Sequence, residues 1–179
     1  MKVLGISGSL RRDSLNTALL RNAPLELDIW DGLKAIPPYD EDDDVDPAPP
    51  AVAEMRAAVA GADAILFATP EYNASIPGQL KNAVDWLSRP HATSVLRNKP
   101  VAVVGASTGA FGAVWAQAEL RKVLATAGAR VVDGDVAVGH AHQRFDASGV
   151  LIDNDLLEQF EEVAQALVAA AAKREPVAA

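Results

Sequence analysis

Three continuous apolar runs constrain this chain more than any other feature: Val3 to Ile6, Ala64 to Ala68 and Val101 to Gly105. Each stops at a cluster of Ser, Thr, Gly or Pro, and each is followed by apolar residues at helical spacing. A run without polar alternation reads as a strand covered on both faces, and such strands separated by helices form a parallel sheet. Leu25 to Trp30 alternates apolar with acidic residues, as a half-buried edge strand does. Val131 to Val138 supplies a fifth strand, bent at Gly134. The helices between them are predicted around Leu15, Ala18 and Leu19, with Asp13 or Ser14 as N-cap, and around Val52, Met55 and Val59. Others are expected around Leu80, Ala83, Val84 and Leu87, with Pro77 in the first turn, over 113–126 with Gly128 closing the helix, and around Leu156, Phe160, Val163 and Leu167. The expectation is an α/β chain with a doubly wound five-stranded parallel sheet, strand order 2-1-3-4-5, and helices on both faces. One domain would span residues 1–174, with a frayed tail at 175–179. Ligands of such a sheet bind beyond the carboxyl ends of its strands, where the order reverses.

Charge and composition narrow the partners. The 16 Lys and Arg against 24 Asp and Glu give a net charge of −8. Six of those acids, Asp40, Glu41, Asp42, Asp43, Asp44 and Asp46, lie in a Pro-rich stretch over residues 35–50 that reads as a solvated loop. Without those six charges the −8 becomes −2, so the acidity is local. No basic stripe tracks a phosphate backbone, which argues against nucleic acid. The absence of cysteine removes thiolate nucleophiles and thiolate-held metal, so any redox chemistry needs an organic cofactor. No apolar run approaches the roughly 18 residues of a membrane span. Val3 to Ile6 is also too short for the apolar region of a signal peptide, so a cytoplasmic location is expected.

Three loops leave the carboxyl ends of the strands, and each is rich in Ser, Asn, Gly or Pro. The first, Gly8 to Thr17, runs from a strand into a helix. Its Ser9, Ser14, Asn16 and Thr17 donors, the helix N-terminus and Arg11 suit a terminal phosphate. An ordinary strand-to-helix turn with both Arg in solvent is the plainer reading. Neither G-x-G-x-x-G nor G-x-x-x-x-G-K-[ST] is present, which leaves a mononucleotide or a small phosphorylated cofactor. The second loop, Pro70 to Gly78, is stiffened by proline at both ends and can present backbone donors to a planar heterocycle beside Tyr72. The plainer alternative packs Tyr72 on the helix below and leaves Glu71 solvated. The third loop contains Gly105-Ala106-Ser107-Thr108-Gly109, a match to the G-x-S-x-G nucleophile elbow, with Asp133, Asp135, His140 and His142 after it. A serine hydrolase acting through Ser107 is therefore a rival. The two His alone lack a third metal ligand.

Taken together, Gly8-Ser9-Leu10-Arg11 with Ser14 and Asn16, then Thr69-Pro70-Glu71-Tyr72-Asn73, Ser75, Pro77-Gly78, Leu80-Lys81-Asn82 and Asp85-Trp86, resemble the NAD(P)H-dependent FMN reductase family. That family is flavodoxin-like and includes quinone, chromate and azo-dye reductases. The resemblance implies non-covalent FMN, with Ser9, Arg11, Ser14 and Asn16 at the phosphate. It places Pro70, Glu71, Tyr72 and Asn73 along the flavin ring, and Ser107, Thr108 and Gly109 on its other side. It implies hydride from NADPH or NADH to flavin N5, then electrons to a small acceptor such as a quinone, free flavin, an azo compound or a chromate-like oxyanion. No protein acid, base or nucleophile is then obligatory. The family forms dimers or tetramers, and Trp86 and Trp115 are either pairing residues of a homodimer or homotetramer or core residues. A flavin electron carrier or sensor without catalysis shares the fold. An aspartyl-phosphate receiver also shares the strand order, but the first and third strands end in Ser7-Gly8-Ser9 and Thr69-Pro70-Glu71 rather than in an acid cluster.

Overall fold

The computed structural model describes residues 1–173; the expected domain end at 174 and the tail at 175–179 lie outside them. Strands β1 (Val3–Ser7), β2 (Leu27–Trp30), β3 (Ala64–Thr69), β4 (Pro100–Ala106), β5 (Arg130–Val131) and β6 (Ala137–Val138) form one parallel sheet. Its order is β2-β1-β3-β4-β5, with β6 also on β4, which is the predicted 2-1-3-4-5 arrangement. The helices are α1 (Leu15–Arg21), α2 (Pro50–Ala60), α3 (Gly78–Leu87), α4 (Val114–Thr126) and α5 (Asn154–Ala172).

The period-2 alternation of strands sorts the core into two layers. Leu4, Ile6, Ile65, Phe67, Val101 and Val103 face α2, α3 and α4, where Met55, Leu80, Val84 and Leu120 pack on them. Val3, Leu66, Ala68, Ala102 and Val104 face α1 and α5, meeting Leu19, Leu20, Phe160 and Leu167. Both faces are dry, which is why these strands carry no polar alternation.

Local signals end the helices as the sequence indicates. Ser14 caps α1, its hydroxyl accepting from Thr17 N–H at 3.2 Å. Pro77 stands one residue earlier than predicted, as the N-cap of α3 rather than inside its first turn. Gly128 sits one residue past the α4 cap, with φ +92°. There Ala129 N–H reaches Leu124 O and Gly128 N–H reaches Ala125 O, which closes the helix and satisfies two end carbonyls.

The fifth strand departs from expectation. It is two short ladders, β5 and β6, separated by an exposed bulge at Asp133, Gly134 and Asp135. Gly134 has φ +124°, and Arg121 fixes the bulge by donating to Gly134 O at 2.6 Å and pairing with Asp135 at 2.6 Å. Two acids flanking a glycine cannot lie in a buried strand, so the chain steps out and rejoins β4 at Ala137.

The acid tract is also less free than a solvated loop. Asp44 pairs with Arg56 at 2.9 Å, and both side chains are largely buried. One polar stripe of α3 binds the backbone leading into the tract: Gln79 donates to Leu33 O and Ile36 O, while Asn82 and Trp86 Nε1 donate to Pro37 O. Trp86 is wholly buried, edge-on to Tyr39, so it is a core residue and offers no surface to a second subunit.

Candidate functional site

Loop 1 leaves β1 and folds on its own hydroxyls. Ser7 Oγ accepts from Thr17 Oγ1 at 3.0 Å and from Ser9 N–H at 3.3 Å, and Ser9 Oγ accepts from Arg11 N–H at 3.4 Å. The Arg11 side chain is exposed and has no ion pair among the described residues. Asn16, by contrast, is buried, and its amide is engaged elsewhere. Nδ2 donates to Ala106 O and Oδ1 accepts from Ala106 N–H, both at 2.9 Å.

The register explains that pair. Gly105 and Ser107 N–H donate to Val136 O and Val138 O, so Ala106 turns its polar groups to the β3 side. There the β3–β4 ladder ends, at Thr69 opposite Gly105. The Asn16 amide replaces the missing strand and ties loop 1 to loop 3. Its side chain therefore acts as a latch between the two loops while still lining the cleft.

Loop 2 turns back on itself at Asn73-Ala74. Tyr72 and Ser75 exchange backbone hydrogen bonds at 3.0 and 3.1 Å, and both central residues have positive φ, 54° and 57°. This is a type I′ turn, and Ala74 lacks the Asn or Gly tolerance for that conformation. Tyr72 is 50% exposed, not packed away beneath the loop.

Glu71 is half-buried and its carboxylate is engaged. One carboxylate oxygen accepts from Trp115 and Ala116 N–H at 3.1 and 3.2 Å. The residue before α4, Ala113, makes no side-chain cap, so Glu71 caps that helix from the neighbouring loop. In the reverse direction Glu119, on α4, holds loop 2, accepting from Ser75 Oγ at 2.5 Å and Ile76 N–H at 3.4 Å.

Loop 3 is held from behind. Ala141 N–H donates to Ser107 O, and His140 N–H to Gly109 O. Gly112, at φ +59°, lies against the Ala137–Val138 backbone, where a Cβ would come within 2.3 Å. Gly139 would likewise bring a Cβ within 2.1 Å of Ala110 O. Buried Gln117 spans the same seam, donating to Gly112 O and Val136 O. Gln117 and Glu119 position the loops, and only their place on the inner face of an amphipathic helix marked them in the sequence. The Ser107 hydroxyl accepts from Gly109 N–H at 3.1 Å. His140 and His142 stack edge-on to each other, and neither is hydrogen-bonded to Ser107 among the described residues. The elbow match is a loop without a relay, so the hydrolase reading has no geometry behind it.

The three loops meet in one cleft of about 140 Å³. Loop 1 gives it Ser9, Arg11, Ser14 and Asn16; loop 2 gives Pro70, Glu71 and Tyr72; loop 3 gives Ser107 and Thr108. Asn73, at the turn tip, and Gly109 stand outside this lining. One end therefore offers an unpaired guanidinium and hydroxyls, and the middle offers a proline, an aromatic ring and backbone. The one carboxylate in this lining, Glu71, is engaged by two N–H groups at the start of α4. A phosphate at one end and a planar ring at the other fit that distribution. Among the described residues no cluster of three metal-ligating side chains occurs, and no helix is long and apolar enough to cross a membrane.

Comparison with known proteins agrees with this chemistry. The family described as NADPH-dependent FMN reductase matches residues 1–143. The chain is 42% identical to an NAD(P)H-dependent FMN reductase of Pseudomonas aeruginosa, covering 93% of each. It is 38% identical to a 2-hydroxy-1,4-benzoquinone reductase of a Burkholderia species, covering 87% of each. Among solved structures it resembles a flavoenzyme NAD(P)H:(acceptor) oxidoreductase of Paracoccus denitrificans, with TM-score 0.82 and 32% identity, over 97% of this chain and 98% of that one. The chain belongs to the NADPH-dependent FMN reductase family and is an FMN-dependent oxidoreductase that draws its electrons from NAD(P)H.

Proposed function

We propose that residues 1–174 act as a single FMN-binding domain that reduces quinones, and that the cleft between the three loops is its flavin site. The observation that carries this reading is the convergence of three separate loops, with nine of the eleven residues expected from the sequence, on that cleft. Ser9, Arg11 and Ser14 hold the phosphate, with Asn16 setting the loop that presents them. Pro70, Glu71, Tyr72 and Asn73 form the border along one side of the ring. Ser107, Thr108 and Gly109 form the other. Held there, FMN would supply the redox chemistry between the nicotinamide donor and the acceptor. The chain's part is to bind, orient and leave one face open, and the Glu71 and Glu119 contacts keep loop 2 seated on α4 while ligands exchange. The half-exposed Tyr72 and the exposed pair Phe111 and Trp115, ring centroids 5.1 Å apart, favour a flat aromatic acceptor.

The same exposed residues, with Val114, favour a homodimer or homotetramer. Dependence on NAD(P)H favours the cytoplasm, where that donor is made and regenerated. An absorption spectrum of the purified protein, before and after FMN and then NADPH without air, tests the reading. Flavin bands that bleach with NADPH and return with a benzoquinone are expected. A protein that ignores added FMN would overturn it. In a titration, Arg11→Ala should weaken FMN by about 1.5–3 kcal/mol, roughly 10- to 150-fold in Kd. An unchanged Kd removes Arg11 from the site.

A further inference from the structure

A second cleft, of about 280 Å³, opens on the β2 side of loop 1. Its lining includes Arg11, Arg12, Arg21 and Lys34, with Asp31 as the one acid and Trp30 beside it. Ser9 and Arg11 line both clefts, so the two adjoin at loop 1. None of the four cations has an ion pair or a side-chain hydrogen bond among the described residues. Elsewhere on the molecule basic groups do pair, as Lys2 with Asp28, Lys81 with Asp85 and Arg121 with Asp135. Four unpaired cations around one hollow repel one another, and they do so on a chain whose net charge is −8. The indole of Trp30 is fixed against Gly32, where a Cβ would come within 2.4 Å of the ring, and its buried Nε1–H has no acceptor.

One FMN phosphate uses Arg11 and the hydroxyls of loop 1. Arg12, Arg21 and Lys34 remain, more positive charge than a mononucleotide requires. The reaction brings a second phosphorylated ligand to the same edge of the sheet, the nicotinamide donor. We propose that this cleft receives the 2′-phosphate on the donor's adenosine, and that Arg21 and Lys34 thereby make the enzyme prefer NADPH to NADH. The proposal rests on the flavin reading above for the position of the nicotinamide, but the phosphate site itself is built from residues outside the flavin cleft. NADPH and NADH differ by that one phosphate, so any preference must come from groups that meet it.

The test is calorimetric titration with adenosine 2′,5′-bisphosphate and, separately, with adenosine 5′-monophosphate, on the protein with and without added FMN. Steady-state kcat/KM for NADPH and NADH accompanies it. The bisphosphate should bind at least tenfold more tightly than the monophosphate. Lys34→Gln and Arg21→Gln should each weaken the bisphosphate by about tenfold and lower kcat/KM for NADPH by a similar factor. Both side chains are exposed, so the fold should persist, and Lys34→Arg should keep most of the preference. FMN affinity and kcat/KM for NADH should stay within twofold. Equal binding of the two nucleotides to the parent protein, or an equal loss for both donors in the variants, would overturn the proposal. A loss of FMN affinity in Lys34→Gln would also overturn it, because the cleft would then be the flavin's own phosphate site. Failure of the flavin reading shows differently, as a protein that binds no FMN whatever its nucleotide preference.

Discussion

Asn16→Ala separates a latch from a ligand. In the folded protein the Asn16 amide makes two 2.9 Å hydrogen bonds to the backbone of Ala106, itself 2% exposed, where the β3–β4 ladder ends. Truncation leaves one buried N–H and one buried C=O without partners, at about 1–3 kcal/mol each. Incomplete burial of the opened space and local relaxation bring the expected total to about 2–4 kcal/mol. For a chain of this size a 1 kcal/mol loss lowers Tm by about 2–4 °C, so a fall of about 5–15 °C is expected. Asn16→Asp keeps the acceptor for Ala106 N–H but turns a second acceptor on Ala106 O, and should recover less than half of the loss. The assay is thermal unfolding of the apoprotein by circular dichroism, paired with FMN titration by fluorescence. A phosphate ligand without a latch role would weaken FMN and leave the apoprotein intact. An apoprotein Tm within about 2 °C of the parent would therefore refute the argument from the interrupted ladder.

Glu71→Ala removes the cap on α4 and should destabilise by about 1–2 kcal/mol, measured by urea unfolding. An unchanged midpoint would show that the two N–H contacts contribute nothing. Ala74→Gly relieves a left-handed alanine at the loop 2 tip, and should stabilise by about 0.5 kcal/mol after the larger unfolded-state entropy of glycine is subtracted; Ala74→Val should instead cost about 1–2 kcal/mol. The Asp146 carboxyl is held below the usual carboxylate range, first by the Ser148 hydroxyl at 2.7 Å and then by Val150 N–H at 2.9 Å. Because folding favours its charged form, its contribution is present above the unfolded Asp range and is lost as pH falls through the lowered value. An NMR titration should find it low in the parent and raised in Ser148→Ala.

The strand and helix pattern was legible because burial on both faces leaves a local signature. Val3 to Ile6, Ala64 to Ala68 and Val101 to Gly105 have no polar alternation, and all three are central strands. Ser14 and Gly128 marked helix ends through chemistry that acts within a few residues. The split of the fifth strand was not legible, because it depends on Arg121, on α4, holding Gly134 and Asp135 from another part of the chain. Trp86 shows the same limit. Its spacing on α3 suits a surface or a core equally, and the backbone of Pro37 decides between them.

The sequence by itself determined the layering, the strand order and the three loops at the carboxyl edge, since those follow from periodicity, stop signals and the handedness of parallel crossovers. Tertiary structure decided what each polar side chain in those loops does. Asn16 and Glu71 look like ligands in sequence, but each meets backbone at the end of a regular element, Ala106 where the β3–β4 ladder stops and the N-terminus of α4. The Arg11 guanidinium meets no such backbone group, and the Ser9 hydroxyl takes only the neighbouring Arg11 N–H, so both remain open to the cleft. The physical reason is that an unsatisfied backbone group is created by the path of a distant segment, so the side chain that satisfies it can be recognised only after that path is known.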